Sequence, residues 1–427
     1  MTKKTFSDTS DVAANLTAQT RSLMPTAIYL HIPFCRRRCY YCDFPISVVG
    51  DGNWETNGAS NWLVDYLKAI EREIALTPKT QQPIQTIFFG GGTPSLLPVQ
   101  ALQQILKQLD RHFTIAHDAE ISMEVDPGTF DRAKLQGYLH AGINRFSLGV
   151  QSFDDDLLTH CGRFHNTKDI YRSIELIKSL GVTNFSLDLM SDLPEQTLDL
   201  YRDSLLKAIS IAPTHLSCYD LVLESVTVFG KQYQPGIKPL PSDEDAAAMY
   251  RLTRQILTDA GYQHYEISNY AKLGYQCRHN RVYWQNLPYY GLGMGAASYF
   301  DGKRFTRPRT RREYYAWLEA GAIIDVPETS SIDRLLETLM LGLRLAEGVA
   351  LDRFDRPTRS KIVNCLQPYL DRGWVNIDDT SLSLSDPEGF LFSNTILSAL
   401  FESLESDVPC LAKAGLADDR LPRSKNT

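Results

Sequence analysis

Through the first half of the chain, short runs rich in β-branched and aromatic residues alternate with longer stretches in which apolar residues return every three or four positions. The short runs AIYLHI (27–32), QTIFF (85–89), EISMEV (120–125), NRFSLG (144–149), NFSLDL (184–189) and HLSCYD (215–220) predict β-strands. The stretches between them, from WLVDYLKAIEREI to QTLDLYRDSLLKAISI, predict helices, several of which close with Gly or run into Pro. Repeated strand-helix units imply an α/β fold: a parallel sheet with helices outside, either open or curved into a partial barrel. In both arrangements the chemistry gathers at the C-terminal ends of the strands. The conspicuous stretches fall there. CRRRCYYC follows the first strand, GGGTP follows the second, Glu124 ends the third, GVQ ends the fourth and Asp188 ends the fifth.

The pattern changes after residue 230, which divides the chain into an expected barrel at 25–230 and an extension at 231–325. The extension holds GYQHYEISNYA, QCRHNRVYW and YYGLGMGAASYF, dense in Tyr and Gly, and is expected to cover the open side of the barrel. From 326 to 403 helical patterns return (DRLLETLMLGLRLAEG, SKIVNCLQPYLDRGWV), followed by the strand candidates VNIDD and SLSLS. Helix, helix and a two-stranded ribbon suggest a winged-helix-like α+β module. Its acidic wing (Asp378, Asp379, Asp386, Glu388) speaks against DNA contact. Residues 1–24 are polar and read as a flexible N-terminal arm, and 404–427 read as a polar tail.

Composition narrows the setting. A chain of 427 residues, 43% hydrophobic and 22% charged, can bury a sizeable core. The net charge of -7 excludes a sequence-independent grip on nucleic acid. No run approaches the roughly 18 apolar residues of a membrane span, so a cytoplasmic protein without a transmembrane segment is expected, with peripheral membrane contact left open. Of the eight cysteines, three lie close together and five are scattered (Cys161, Cys218, Cys277, Cys365, Cys410), which fits a reducing compartment.

Cys35, Cys39 and Cys42 pose the chemical question. A [4Fe-4S] cluster held by three thiolates keeps one iron open to an exchangeable ligand. Zinc with His31 as a fourth ligand is an alternative, as are three unligated thiols. Arg36, Arg37 and Arg38 read either as a solvated loop or as charge compensation for an anionic cluster. GGGTP removes Cβ atoms so that backbone can approach a ligand. Glu124 is placed to accept from an ammonium group, while Gln151, Arg163 and Asp188 are placed to hold ribose hydroxyls or a carboxylate.

Together these residues resemble the radical S-adenosylmethionine (radical SAM) superfamily, whose signature is CxxxCxxC after the first strand of a partial (β/α)6 TIM-like barrel. YLHIPFC, GGGTP, MEVDPG, GVQSF and DLPEQT in this order resemble the branch that holds oxygen-independent coproporphyrinogen III dehydrogenase and the haem chaperones. The resemblance implies that Cys35, Cys39 and Cys42 ligate a [4Fe-4S] cluster. It implies that S-adenosylmethionine (SAM) is contacted by Tyr29, Gly91 and Glu124, and further by Tyr41, Gly92, Thr93, Gln151, Arg163 and Asp188. Phe44 stands where the dehydrogenase has a further cysteine, and HNRVYW (279–284) is similar to a chaperone motif whose histidine is implicated in haem binding. Both favour a chaperone that binds haem and passes it to haem-accepting proteins, with coproporphyrinogen III decarboxylation as the alternative. His279 is then the expected haem ligand, against a reading in which it caps a turn beside core aromatics. An electron donor such as a flavodoxin or ferredoxin is implied as well. SDLPEQT departs from the resemblance, since relatives of this branch usually carry glycines near Asp192 and Glu195.

Overall fold

The computed structural model describes residues 24–51 and 59–405. The expected arm and tail lie outside these residues apart from Met24 and the last two positions of the final helix. Strand and helix alternate as the sequence pattern predicts: β1 (Ala27–Ile32), α1 (Ala59–Leu76), β2 (Ile84–Gly91), α2 (Val99–Phe113), β3 (Ile115–Val125), α3 (Arg132–Ala141) and β4 (Arg145–Gln151). There follow α4 (Asp155–His160), α5 (Thr167–Ser179), β5 (Phe185–Ser191), α6 (Leu198–Ile211) and β6 (His215–Asp220). Each strand from β1 to β6 pairs in parallel with the next. The helix starts are fixed locally. Asp131 and Thr197 cap α3 and α6, and Asn166 forms a capping box with Asp169 on α5.

Strand alternation explains how the sheet holds a core on one side and a site on the other. Ile87, Phe89, Ile121, Met123, Phe146, Leu148, Leu187, Leu189 and Leu216 join the main hydrophobic core. The intervening residues, Thr86 on β2, Glu120, Ser122 and Glu124 on β3, Arg145 and Ser147 on β4, Ser186 and Asp188 on β5, His215 and Ser217 on β6, fall on the other face. The polar faces of five strands therefore line one lumen.

The sheet has nine strands, three more than the sequence pattern foretells. After α7 (Val228–Gln232) and α8 (Asp243–Asp259) come β7 (Gln263–Glu266), β8 (Asn269–Ala271), α9 (Arg278–Trp284) and β9 (Tyr290–Leu292). The order is β9-β1-β2-β3-β4-β5-β6-β8-β7, with β9 parallel to β1 and β8 antiparallel to both β6 and β7. The extension thus adds to both edges of an unclosed sheet, and α9 lies in the chain between those two edges. A hairpin, β10 (Ala297–Phe300) and β11 (Lys303–Thr306), and α10 (Arg311–Glu319) follow. Arg307 after the hairpin forms a buried ion pair with Glu73 of α1 at 2.6 Å, both side chains at most 3% exposed.

Beyond it, α11 (Ser331–Gly342), β12 (Val349–Ala350), α12 (Arg356–Leu370), β13 (Val375–Ile377), β14 (Ser381–Leu384), α13 (Glu388–Leu391) and α14 (Ser393–Glu405) enclose a separate core around Leu339, Ile362, Leu366, Leu382 and Leu400. The expected ribbon is present as β13 and β14, and β12 makes it an antiparallel three-stranded sheet. Two of the acidic wing residues face the rest of the chain. Glu388 pairs with Arg251 of α8 at 2.7 Å, and Asp386 pairs with Arg254 at 3.2 Å and with His264 at 2.8 Å.

Candidate functional site

The cysteine loop leaves β1 and is tied down at several points. Phe34–Cys35 pairs in parallel with Ser47–Val48. The Tyr40 amide donates to the Cys161 carbonyl at 3.0 Å, and Arg38 donates to the carbonyls of Cys42 and Phe44 at 3.1 Å each. Cys35 is buried, while Cys39 and Cys42 are half-buried. Desolvation pushes the Cys35 thiol up to about 12 and raises Cys42 as well, so thiolates here require a cation nearby.

GGGTP comes up against the loop so closely that side chains are excluded. A Cβ on Gly92 would stand 2.9 Å from the Cys35 sulfur and 2.7 Å from the Phe34 carbonyl oxygen, and Gly91 has φ 111° with its missing Cβ 2.5 Å from the His31 ring. Thr93 then donates to the Cys35 sulfur at 3.5 Å and to Asp126 at 3.1 Å. Arg163 joins the opposite wall. It donates to the Cys39 sulfur at 3.4 Å, to the Tyr41 hydroxyl at 3.5 Å, to Asp126 at 2.5 Å and to the Gly149 carbonyl at 3.1 Å. Asp126, a residue the sequence reading passed over, is therefore the bridge between β2 and the loop after α4.

Glu124 accepts from the Gly91 amide at 3.1 Å. Desolvation and then the neighbouring Asp188 push its carboxyl up to about 8, despite that amide bond. Asp188 is itself raised by desolvation, against hydrogen bonds from Ser217, Ser147 and others. Two acids withdrawn from water and facing each other favour an arriving cation.

These groups line one cavity of about 380 Å³. It brings together Cys35, Cys39, Tyr41, Cys42, Gly91, Gly92, Thr93, Glu124, Gln151, Arg163 and Asp188. Tyr29 is not on its wall. The Tyr29 ring flanks it, stacked on Phe88 with centroids 6.3 Å apart and its hydroxyl 3.1 Å from His31 Nδ1. The other His31 nitrogen is 2.9 Å from the Pro45 carbonyl, so His31 has no nitrogen free for zinc, and that alternative loses its fourth ligand. Three thiols spread over a short loop around a glycine cradle fit a cubane, which needs room and an open corner.

His279, the expected haem ligand, lies beside Thr86 of β2 with 0% exposure. Nδ1 is 2.8 Å from the Thr86 hydroxyl, Nε2 is 2.8 Å from the Tyr283 hydroxyl, and the ring stacks on Phe88. Both nitrogens are within hydrogen-bond distance of a side-chain hydroxyl. Burial lowers its pKa to about 3, so the ring is neutral. Glu120 receives the amides of Arg278 and His279 at 3.1 Å each, fixing the start of α9 under the lumen. Asn280 is the member of HNRVYW that reaches the cavity wall.

Comparison with known proteins bears on this arrangement. Residues 29–207 match the radical SAM superfamily and residues 329–392 match the HemN C-terminal domain. The chain is 51% identical over 408 residues to the haem chaperone HemW of a Synechocystis strain, covering 90% of this chain and 98% of that protein. The HemW of Bacillus subtilis is 35% identical over 88% of this chain and 99% of its own. The chain belongs to the HemW family of the radical SAM superfamily. The fold is also that of the coproporphyrinogen III oxidase HemN from Escherichia coli, a radical SAM enzyme, with a TM-score of 0.73, 20% identity and 94% of each chain covered. Membership of the superfamily implies a [4Fe-4S] cluster and SAM.

Besides Asp126, the cavity wall includes Phe88, Arg145, Ser147, Ser217 and Tyr219, none singled out from the sequence. Their signal was present as polar residues at alternate positions within the strand runs, read for secondary structure and not for what lines the inside.

Proposed function

We propose that this protein is a haem chaperone of the HemW type, binding haem and passing it to acceptor proteins, with a [4Fe-4S] cluster on Cys35, Cys39 and Cys42 and SAM in the adjoining cavity. The observation that carries the reading is near-full-length relatedness to proteins named as haem chaperones, joined to a cavity in which Phe44 stands half-exposed on the wall beside three thiols. When bound, the cluster supplies one electron to SAM for reductive cleavage. The residues supply placement. Glu124 accepts the SAM ammonium group, the backbone of Gly91 and Gly92 admits its methionyl end, Gln151 and Asp188 take ribose hydroxyls, and Arg163 steadies Cys39 and Tyr41. Thr93 fixes Cys35, and Tyr29 packs behind the glycines.

Five segments follow from the same reading: the arm at 1–24, the barrel at 25–230, the extension at 231–325, the winged-helix-like module at 326–403 and the polar tail at 404–427. A cytoplasmic setting suits it, since no helix among the described residues is long and apolar enough to cross a membrane. A reduced flavodoxin or ferredoxin is the class of donor the cluster requires.

A second reading, oxidative decarboxylation of coproporphyrinogen III, is favoured by the shared fold with HemN over nearly the whole chain. One anaerobic preparation separates the two. After cluster reconstitution, haem titration is expected to give stoichiometric uptake, and coproporphyrinogen III is expected to remain unchanged in the presence of SAM and reductant. Porphyrinogen turnover without haem uptake reverses the ranking.

A further inference from the structure

A second concavity, of about 530 Å³, lies beside the lumen and shares Phe44 and Ile46 with its wall. Neither the cluster nor SAM, as placed above, uses it. Its apolar part is made by Phe44, Pro45, Ile46 and Met294, with Phe44 52% exposed. Its polar part is made by Arg38 of the cysteine loop and by Arg309, Arg311 and Arg312 around the start of α10.

Four guanidinium groups meet one carboxylate on this wall, that of Asp43. Arg309 takes it, donating to the Asp43 side chain at 3.3 Å and to its carbonyl at 2.7 Å. The other three cations meet no acid there. Arg38 donates to the carbonyls of Cys42 and Phe44, and Arg311 sits 3.7 Å over the centroid of the Trp62 ring. Arg312 is exposed and makes no hydrogen bond or ion pair among the described residues. Glu313 follows it in sequence but is not on the wall, and it accepts from the Thr310 hydroxyl at 2.7 Å. In a chain of net charge -7 the overall field repels anions, so a concave cationic wall is where an anion gains most. Guanidinium forks suit carboxylates, and the apolar part suits a ligand whose acid groups hang from an apolar body.

We propose that haem docks in this groove, its apolar body against Phe44, Pro45 and Ile46 and its two propionates on Arg311 and Arg312. The inference rests on the chaperone reading and adds the site at which the cargo is held. Charge sorts the two ligands between the two spaces. SAM carries a sulfonium, an ammonium and one carboxylate, and as a net cation it suits the end of the lumen where Glu124 and Asp188 face each other. Haem brings two carboxylates and suits the groove. No His, Cys or Tyr is among the described residues that line the groove, so the periphery of the porphyrin and not its iron carries recognition.

Affinities of the reconstituted full-length protein are measured by absorption titration for haem, haem dimethyl ester and iron-free protoporphyrin IX. Haem is expected to bind roughly 10- to 100-fold more tightly than its ester, and protoporphyrin IX to compete with it. Arg311→Gln combined with Arg312→Gln is expected to bring haem down to the affinity of the ester, while sulfide content and SAM binding stay at wild-type values. Arg312→Glu alone is expected to weaken haem about 10-fold. Its side chain is exposed, so this variant carries the comparison if the double variant does not fold. Equal wild-type affinities for haem and its ester, a protoporphyrin IX that does not compete, or a ratio that survives both variants overturns the site. Unchanged haem affinity in the variants, together with slower reduction of the cluster by a flavodoxin, would give these arginines to the donor protein and overturn it as well. A wild-type protein that takes up no haem at all strikes the chaperone reading itself, and the site falls with it.

Discussion

The two ends of the lumen are built from the same strands by the same alternation, yet they differ in how exposed their functional side chains are. At the cysteine end, Cys39, Cys42, Glu124 and Asp188 are only part-buried, three glycines hold the backbone clear, and two acids face each other. At the α9 end, His279 is sealed with both nitrogens bonded and Glu120 caps the helix above it. The first end is arranged for something that arrives, and the second packs α9 against the strands. His279 is held there by two hydroxyls and by stacking on Phe88, contacts that the fold and not the local sequence supplies.

The largest effect expected is at the open end. Replacing Cys35, Cys39 and Cys42 together by Ala should abolish inorganic sulfide and the iron-sulfur absorption after reconstitution. The melting temperature of the cluster-free protein should move by only a few degrees, because two of the three side chains are half-exposed. Retained sulfide would show that the cluster lies elsewhere.

At the sealed end the outcome should be reversed. His279→Ala strands the Thr86 and Tyr283 hydroxyls and removes a ring stacked on Phe88, and should lower stability by about 2–4 kcal/mol in denaturant titration. Sulfide content should be unaffected. A folded His279→Ala protein whose haem absorption matches the wild type would also remove His279 as a ligand in any rearranged state.

Glu124 sharpens the contrast through pH. Its folded pKa of about 8 lies above the ordinary carboxyl value of 4.5, so the folded protein binds this proton more tightly than the unfolded chain does. Its contribution to stability is present below about 4.5 and is lost as pH rises toward 8. Ammonium binding needs the ionised form, so SAM affinity should climb between pH 6 and 8 and then level off. Glu124→Gln should weaken SAM by roughly 10- to 100-fold at pH 8 and flatten both profiles. An unchanged affinity slope in calorimetry would remove Glu124 as the acceptor.

Much of this contrast was legible in the sequence. EISMEV and NFSLDL show the alternation that makes one strand face apolar and the other polar, and CRRRCYYC and GGGTP announce a loop and a cradle at strand ends. Asp126 was passed over because nothing local marks it. It matters as a bridge from Thr93 to Arg163. The position of His279 depends on Thr86, 193 residues away, and no spacing rule reaches that far. β7, β8 and β9 escaped for another reason. At three or four residues each they carry no period, and pairing to the edges of an existing sheet is what makes them strands.

The smallest expected effect concerns the turn that follows β5. Asp192 and Glu195 have φ of 62° and 66°, the left-handed region that favours glycine. For an L residue that conformation is unfavourable by about 1–2 kcal/mol. Asp192 is a poor probe, because its carboxylate also accepts from Ser191. Glu195 is cleaner, with an exposed side chain and a backbone amide donating to the Pro239 carbonyl at 2.7 Å. Glu195→Gly relieves the strain but gives the unfolded chain freedom worth about 0.4–1 kcal/mol, so the net gain should be about 0.5–1 kcal/mol. Glu195→Ala keeps the Cβ and should gain nothing. Equal stability of the two variants in denaturant titration would mean that this turn carries no strain.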